Sequence, residues 1–196
     1  MSKGKESKPH IGIYGRRNNG KSSLINRLAG QEIAIVSDFA GTTTDPVKKS
    51  FEITGFGPVI LIDTAGIDDV GELGEKRIGK TLKSIKEVDL AILVIVENTF
   101  GDFEKMLMEE FKKTDTPFFI VHNKSDVHQL NEYTRIQIIS QTNTELIEFD
   151  TIQSENLEKL IRLIKTTIPE SAYKSTSLVG DLLSYGDIVL LITPID

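Results

Sequence analysis

The stretch Gly15-Arg-Arg-Asn-Asn-Gly-Lys-Ser22 decides the fold, and it directly follows the short apolar run His10-Ile-Gly-Ile-Tyr14. The residues from Ser23 to Ala29 then show helical spacing, and Gly30 is a typical stop for such a helix. The pattern predicts a strand, a phosphate-binding loop and a helix in succession. In such a loop the backbone N–H groups turn towards a phosphate, and the helix N-terminus adds about half a positive charge.

Other apolar runs predict the remaining strands. Val59–Ile62 and Leu90–Val96 are continuous apolar runs, as expected of parallel strands buried on both faces. Val47–Thr54 alternates polar and apolar residues, which predicts an edge strand with one face open to water. Shorter strands are predicted at Phe118–Val121 and Leu146–Phe149.

Helices are predicted between these strands, because apolar residues recur there at helical spacing. The residues that mark the three further helices are Ile78, Leu82 and Ile85, then Phe103, Met106, Leu107 and Phe111, then Leu157, Leu160, Ile161 and Ile164. The Gly- and Thr-rich segment Phe39–Asp45 has no period and is predicted to be a loop. The alternation predicts an α/β fold, a mostly parallel six-stranded sheet with helices on both faces. Ligands of such sheets bind at the carboxyl ends of the strands, so chemical motifs should follow strands.

Composition limits the possible functions. The net charge of −6 and the pI near 5.2 argue against a nucleic-acid partner. The chain has no cysteine, which excludes a thiolate-bound iron–sulfur cluster or zinc site within it. Its apolar runs are far shorter than the ~20 residues of a membrane span, and a cytoplasmic protein without a membrane partner is expected. The three histidines show no metal-ligand spacing and receive no role.

Two motifs at predicted strand ends suit a magnesium–triphosphate group. In the first loop Lys21 would reach the β- and γ-phosphates, and the Ser22 hydroxyl would bind Mg²⁺. Asp63-Thr-Ala-Gly66 follows the run Val59–Ile62, where a carboxylate can hold the Mg²⁺ shell through water. The N–H of Gly66 can contact the γ-phosphate and lose that contact after hydrolysis.

Asn123-Lys-Ser-Asp126 follows the predicted strand Phe118–Val121 and suits guanine. The Asp126 carboxylate can accept hydrogen bonds from guanine N1–H and the N2 amino group. Adenine offers neither donor, so an ATP complex would leave this carboxylate unpaired. Asn123 would orient the loop, and the Lys124 stem would cover the base.

These three motifs in this order resemble the P-loop GTPase family, and the resemblance covers nearly all of residues 10–168. The first loop and Gly41-Thr-Thr-Thr-Asp45 are similar to the branch that contains TrmE and Era, whose usual forms are Gly-Arg-Pro-Asn-Val-Gly-Lys-Ser-Ser and Gly-Thr-Thr-Arg-Asp. The resemblance implies that Thr43 closes over Mg²⁺, with Thr42 and Thr44 left open as alternatives. It also implies that Asn18 binds a K⁺ ion bridging the phosphates.

This sequence departs from the branch at several positions. Arg17 and Asn19 replace the usual Pro and Val of the loop, and Asp150-Thr-Ile152 stands where Ser-Ala-Lys is usual. Thr151 is the expected contact to guanine O6 through its backbone N–H. Ile67 follows Gly66 where many GTPases have a glutamine that orients water, so catalysis must come from elsewhere.

Several residues can compensate for the missing glutamine. The K⁺ ion at Asn18 would supply positive charge to the phosphates, although the side chain can also serve as a loop cap. Glu72 and Glu75 can position water, but a solvated switch segment is the simpler interpretation. Arg16 and Arg17 are finger candidates within a dimer.

Within the branch, Gly41–Val47 and the segment Gly180–Asp196 look most like the HydF family of [FeFe]-hydrogenase maturation GTPases. That resemblance implies a scaffold or carrier for a di-iron precursor, a homodimer, and radical-SAM maturases and the apo-hydrogenase as partners. Residues 1–9 are expected to be a disordered tail, residues 10–170 the GTP-binding domain, and residues 171–196 a linker with the truncated start of a dimerisation domain.

The sequence thus predicts a slow GTPase in which the segments Gln31–Asp45 and Thr64–Lys76 switch with nucleotide state. The alternatives are a binding-only switch that needs a partner for hydrolysis, and a TrmE- or Era-like GTPase acting on tRNA or the ribosome. The candidate catalytic residues are Asn18, Lys21, Thr43 and Gly66, and the metal ligands are Ser22, Thr43 and Asp63 for Mg²⁺ and Asn18 for K⁺. The candidate nucleotide-binding residues are Arg16, Arg17, Asn18, Asn19, Gly20, Lys21, Ser22, Ser23, Asn123, Lys124, Asp126 and Thr151.

Overall fold

The computed structural model describes residues 8–29, 35–39, 47–64, 72–150 and 152–173. The strands are β1 (His10–Tyr14), β2 (Ile35–Phe39), β3 (Val47–Ile53), β4 (Gly57–Asp63), β5 (Leu90–Ile95), β6 (Phe118–Asn123) and β7 (Leu146–Phe149). The helices are α1 (Lys21–Ala29), α2 (Glu72–Ile85), α3 (Asp102–Lys113), α4 (Glu132–Gln141) and α5 (Ser154–Thr167), followed by a short 3₁₀ turn at Glu170–Ala172.

One sheet of seven strands has the order β2-β3-β4-β1-β5-β6-β7. The five strands from β4 to β7 in this order are mutually parallel. β3 is antiparallel to both β4 and β2. The carboxyl ends of the parallel strands therefore lie at one edge, and the residues that follow β1, β4, β6 and β7 meet there.

The predicted fold class is confirmed, with one strand more than the six predicted. The additional strand is β2, whose last residue, Phe39, was predicted to begin a loop. β2 also covers β3, so β3 is an inner strand rather than the predicted edge strand. Alternating polar and apolar side chains show which face of a strand is buried. A neighbouring strand is hydrogen-bonded in the plane of the sheet, so its presence leaves no signal in that alternation.

Each face of the sheet carries its own core. On one face α1 and α5 pack against alternate residues of the central strands, among them Ile13, Val94 and Val121. On the other face α2, α3 and α4 pack against residues such as Leu93 and Ile120. Because β5 is completely buried on both faces, it forms the rigid centre on which the site at its carboxyl end is built.

The packing continues to the last described residues. Ala172 belongs to the core beneath α5, and the ring of Tyr173 lies edge-on against Phe56 with centroids 4.9 Å apart. The predictions for the segment beyond, in residues 174–196, lie outside the described residues. Among the described helices, none has the length and apolar character that crossing a bilayer requires.

Candidate nucleotide-binding site

The phosphate loop joins β1 to α1 and depends on glycine at both ends. Gly15 has φ of +140° and Gly20 has φ of +80°, in the region that side chains rarely adopt. A Cβ on Gly15 would lie 2.3 Å from the Val94 carbonyl oxygen, and one on Gly20 would lie 2.3 Å from Nδ2 of Asn123. The two glycines thus let the loop pass close to β5 and β6.

Lys21 lies over this loop and is almost completely buried, with 6% of its surface exposed. Its ammonium donates hydrogen bonds to the carbonyl oxygens of Gly15 (3.0 Å) and Arg16 (2.9 Å). The ammonium is therefore held against the loop that the sequence predicts to bind phosphate. Its contact with the β- and γ-phosphates stays a prediction.

The two described magnesium candidates come together although they are 41 residues apart. The Ser22 hydroxyl, at the start of α1, donates to Oδ2 of Asp63, at the end of β4, over 3.0 Å. A hydroxyl and a carboxylate are hard oxygen ligands, and Mg²⁺ typically takes one or two such groups together with phosphate oxygens and water. The pair fits that ion. The third candidate, Thr43, lies outside the described residues, as does Gly66.

The guanine motif contacts the phosphate loop directly. Asn123, 2% exposed at the end of β6, donates through Nδ2 to the carbonyl oxygen of Asn19 over 2.8 Å. Lys124 has φ of +58°, and its Cε lies 4.0 Å from where a Cβ of Gly20 would be. Its aliphatic stem thus runs beside the loop. Asp126 is exposed at the same edge of the sheet, so its carboxylate is accessible to a ligand.

Asn19 is placed differently from its neighbours in the loop. Its side chain is buried, and Nδ2 donates to the Val94 carbonyl oxygen at the end of β5 over 2.7 Å. Its side-chain amide thus joins the loop to the central strand, and its contact with the nucleotide stays a prediction. Its own carbonyl accepts from Asn123, so one residue links three parts of the site.

Arg16 was also predicted to contact the nucleotide, or to act as a finger. Its guanidinium is instead bound to Glu104 on α3 by two hydrogen bonds and lies over the ring of Phe103. Arg17, Asn18 and Ser23 have exposed side chains. Asn18 has φ of +63°, a left-handed conformation that asparagine tolerates better than most residues.

Asp150 holds the loop after β7, although no role was predicted for it. It is 2% exposed, and Oδ1 accepts hydrogen bonds from the N–H groups of Ile152 (2.9 Å) and Gln153 (2.7 Å). Oδ2 accepts from Nδ2 of Asn156 over 2.8 Å. The available signal was an aspartate a few residues before a predicted helix, a common N-terminal arrangement. Thr151 lies outside the described residues.

A buried titratable group immediately precedes each of the two motif loops. Tyr14 comes before Gly15, and burial raises the pKa of its hydroxyl above the usual range. His122 comes before Asn123, and burial lowers the pKa of its imidazole, with Glu148 opposing the shift and Arg135 adding to it. Near neutral pH both groups are therefore uncharged, and charge at this edge of the sheet is carried by the loops.

Comparison with known proteins agrees with this arrangement. A family model described as 50S ribosome-binding GTPase matches residues 10–124. The chain belongs to this family. It is a GTP-binding GTPase domain of the TrmE- and Era-like branch, and MnmE is among its relatives.

Two curated relatives illustrate the similarity. The tRNA modification GTPase MnmE of Lachnoclostridium phytofermentans is 38% identical over 154 residues, which are 78% of this chain and 32% of that protein. GTPase Der of Campylobacter hominis is 45% identical over 116 residues, 58% of this chain and 25% of that protein. The chain thus spans about a third or less of the length of these relatives.

Among solved structures, Era of Aquifex aeolicus bound to GDP and AlF₄⁻ superimposes with a TM-score of 0.67 at 25% identity, over 83% of this chain and 57% of that one. An Era complex with MgGDPNP and nucleotides of 16S ribosomal RNA gives a TM-score of 0.65 at 24% identity, over 90% of this chain and 61% of that one. At this identity the second likeness shows the shared fold alone.

Proposed function

We propose that this chain is a nucleotide switch that binds GTP with Mg²⁺ across the edge formed by β1, β4 and β6 and hydrolyses it slowly. The observation that carries the proposal is the hydrogen bond from Asn123 to the Asn19 carbonyl. It supports the proposal because a single guanine nucleotide would have to contact both the guanine motif and the phosphate loop. Lys21 would face the phosphates, Ser22 and Asp63 would hold Mg²⁺, and Lys124 and Asp126 would bind the base.

Base selectivity tests this proposal. Asp126→Asn should lower GTP affinity by about 10- to 150-fold, because one charge-assisted contact of about 1.5–3 kcal/mol is lost. The same variant should gain affinity for XTP, since xanthine carries an acceptor where guanine carries its amino group. Titration calorimetry with both nucleotides decides the matter. Unchanged GTP affinity would remove Asp126 from the base site.

Hydrolysis in this proposal uses K⁺ held by Asn18. Support comes from the exposed, left-handed position of Asn18 in the loop and from Ile67, which cannot orient water. Phosphate release should be faster in K⁺ than in Na⁺, and Asn18→Ala should remove the difference. Equal rates of the parent protein in both salts would rule out the cation mechanism.

Two segments would respond to the nucleotide. In Gln31–Asp45, Thr43 would bind Mg²⁺, and in Thr64–Lys76 the N–H of Gly66 would contact the γ-phosphate. The second segment starts at a residue that is tied to the sheet. The Thr64 hydroxyl donates to the carbonyl of Ile13 in β1. A switch segment that starts at such an anchor can rearrange beyond it while the sheet stays fixed.

The process that this switch serves is proposed from the relatives. MnmE is named a tRNA modification GTPase, which favours a role in tRNA modification or on the ribosome. The [FeFe]-hydrogenase maturation role, with a homodimer, radical-SAM maturases and the apo-hydrogenase as cytoplasmic partners, is the second candidate. It is supported by the resemblance of Gly41–Val47 and Gly180–Asp196, both of which include residues outside the described ranges.

RNA binding separates the two candidates. A GTPase acting on RNA should bind tRNA or a ribosomal RNA fragment in its GTP-analogue state, with affinity that falls steeply between 50 and 200 mM salt. Filter binding of the full-length protein with GDPNP and with GDP measures this. Absence of RNA binding in both states would favour the maturation role.

A further inference from the structure

We propose that Glu104, on α3, is a positioning residue of the phosphate loop and acts through Arg16. The inference rests on the proposed binding of nucleotide phosphates by residues 15–22. Glu104 touches neither phosphate nor metal in this assignment. Its effect on the nucleotide would pass through the guanidinium that it holds.

The contact between these side chains is bidentate and spans 88 residues of sequence. Nε of Arg16 donates to Oε1 of Glu104 over 2.8 Å, and a terminal nitrogen donates to Oε2 over 3.0 Å. The Arg16 guanidinium also lies 5.4 Å from the centroid of the Phe103 ring. The planar group is thus fixed in position by the carboxylate and in orientation by the ring.

The burial of Glu104 makes a charged partner necessary. Glu104 is completely buried, and Oε2 also accepts a hydrogen bond from the backbone N–H of Gly101 over 2.9 Å. A buried carboxylate persists only where opposite charge and hydrogen bonds compensate it. Arg16 supplies that charge, so the identity of this loop residue is explained by α3 rather than by a phosphate.

The backbone of Arg16 carries the effect to the phosphate position. Its carbonyl oxygen accepts from Lys21 Nζ over 2.9 Å and from the Asn19 N–H over 3.4 Å. The same residue therefore has its side chain fixed on α3 and its carbonyl fixed on the ammonium that faces the phosphates. A shift of Arg16 would displace this carbonyl, and with it Lys21 and the following loop amides.

The test compares Glu104→Gln with Glu110→Gln in the full chain. Both variants remove one carboxylate from α3, but Glu110 pairs with Lys113 (3.5 Å) and has no described contact with the loop. Glu104→Gln should raise the dissociation rate of a fluorescent GDP by roughly tenfold, the equivalent of one charge-assisted hydrogen bond. It should also shift the ³¹P resonance of the bound β-phosphate. Glu110→Gln should change neither.

A double-variant cycle distinguishes positioning from general stability. If Glu104 acts through Arg16, then Arg16→Gln with Glu104→Gln should release GDP no faster than the faster single variant. Glu104→Asp keeps the buried charge but is one methylene shorter, and its rate should lie between those of the parent and Glu104→Gln. This variant keeps the test decisive if Glu104→Gln folds poorly.

Two results would overturn the inference. Additive effects in the cycle would mean that the two residues act independently. A lower melting temperature with unchanged GDP dissociation and an unchanged ³¹P spectrum would mean that Glu104 only stabilises the fold. Unchanged GDP affinity in Lys21→Ala would instead mean that residues 15–22 do not bind the nucleotide phosphates. That result would contradict the proposed function and is distinct from a failure of the Glu104 inference.

Discussion

The phosphate end of the site, residues 15–22 with Asp63, and its base end, residues 123–126 with Asp150, are held by different kinds of contact. At the phosphate end buried charges fix the loop, because Lys21 caps two loop carbonyls and Arg16 pairs with Glu104. At the base end the positioning hydrogen bonds come from neutral donors: the Asn123 amide donates to the phosphate loop, and the buried Asp150 carboxylate accepts from two backbone N–H groups and the Asn156 amide. The charge proposed to read the base, on Asp126, is exposed.

This difference follows from what each end must recognise. A triphosphate carries several negative charges, so a pre-placed positive charge in a partly dry loop contributes most of the affinity. A guanine base is neutral and must be distinguished from adenine by donors and acceptors. There a single carboxylate can provide selectivity if buried neighbours such as Asn123 hold its loop in a fixed position.

The comparison predicts its largest effect at Lys21. Lys21→Ala should lower GTP and GDP affinity by at least about 100-fold, because contacts of about 1.5–3 kcal/mol each to two phosphates are lost. Titration calorimetry with Mg²⁺ measures the loss. Lys112→Ala is the control, since that lysine lies near the carboxyl end of α3 and donates to the carbonyl of Gln141, the last residue of α4. Equal affinities for both variants would show that buried charge does not dominate the phosphate end.

Asp150 should produce a smaller effect, and on stability rather than on selectivity. Asp150→Ala removes the acceptor of three hydrogen bonds, two of them from backbone groups before α5. The free energy of unfolding should fall by about 1–3 kcal/mol. Urea denaturation followed by circular dichroism suits this chain, which has no tryptophan.

Asp126→Ala provides the matched control at the same edge of the sheet. Its carboxylate is exposed, so the substitution should change stability by no more than about 0.5 kcal/mol while GTP affinity falls. The base end would then contain one aspartate for structure and one for recognition. A comparable loss of stability in both variants would contradict that division.

The sequence allowed the prediction of the three motif loops and their strands, because each motif combines a local composition with an apolar run before it. α4 could not be predicted in this way. Its apolar residues Tyr133, Ile136 and Ile139 are exposed, and Ile138 is the apolar residue it buries, so no apolar stripe marks the helix. The remaining signal was Asn131, whose side chain accepts from the Thr134 N–H over 2.7 Å as an N-cap.

Contacts between distant residues were beyond prediction for a different reason. Nothing local to Arg16 indicates a buried carboxylate 88 residues away, so an arginine in a phosphate loop was interpreted as a phosphate ligand. Nothing local to Asn19 indicates that its amide meets the carbonyl of Val94 on another strand either. The local sequence pattern indicates which loops contain candidate binding residues. Which side chains of those loops instead hold the loop in place depends on contacts that form only in the folded sheet.

The smallest predicted effect concerns His122, the buried imidazole beside Asn123 at the base end. Among the described residues neither ring nitrogen has a hydrogen-bond partner, and burial lowers its pKa below the ordinary 6.5. Below about pH 6.5 the unfolded chain therefore takes up a proton that the folded chain does not, and the free energy of unfolding falls as pH falls. The slope from this group is at most about 1.4 kcal/mol per pH unit.

His122→Leu should remove that slope, because leucine fills the site without a titratable group. Urea denaturation between pH 5 and 7.5 should show the variant gaining stability relative to the parent as pH falls, with little difference at the upper end. His10→Gln is the control, since it removes an imidazole that is 33% exposed and lies 3.9 Å from Asp89. Parallel pH profiles for His122→Leu and the parent would mean that the folded protein protonates His122. The base end would then hold a buried positive charge, as the phosphate end does at Lys21, and the contrast between the two ends would no longer stand.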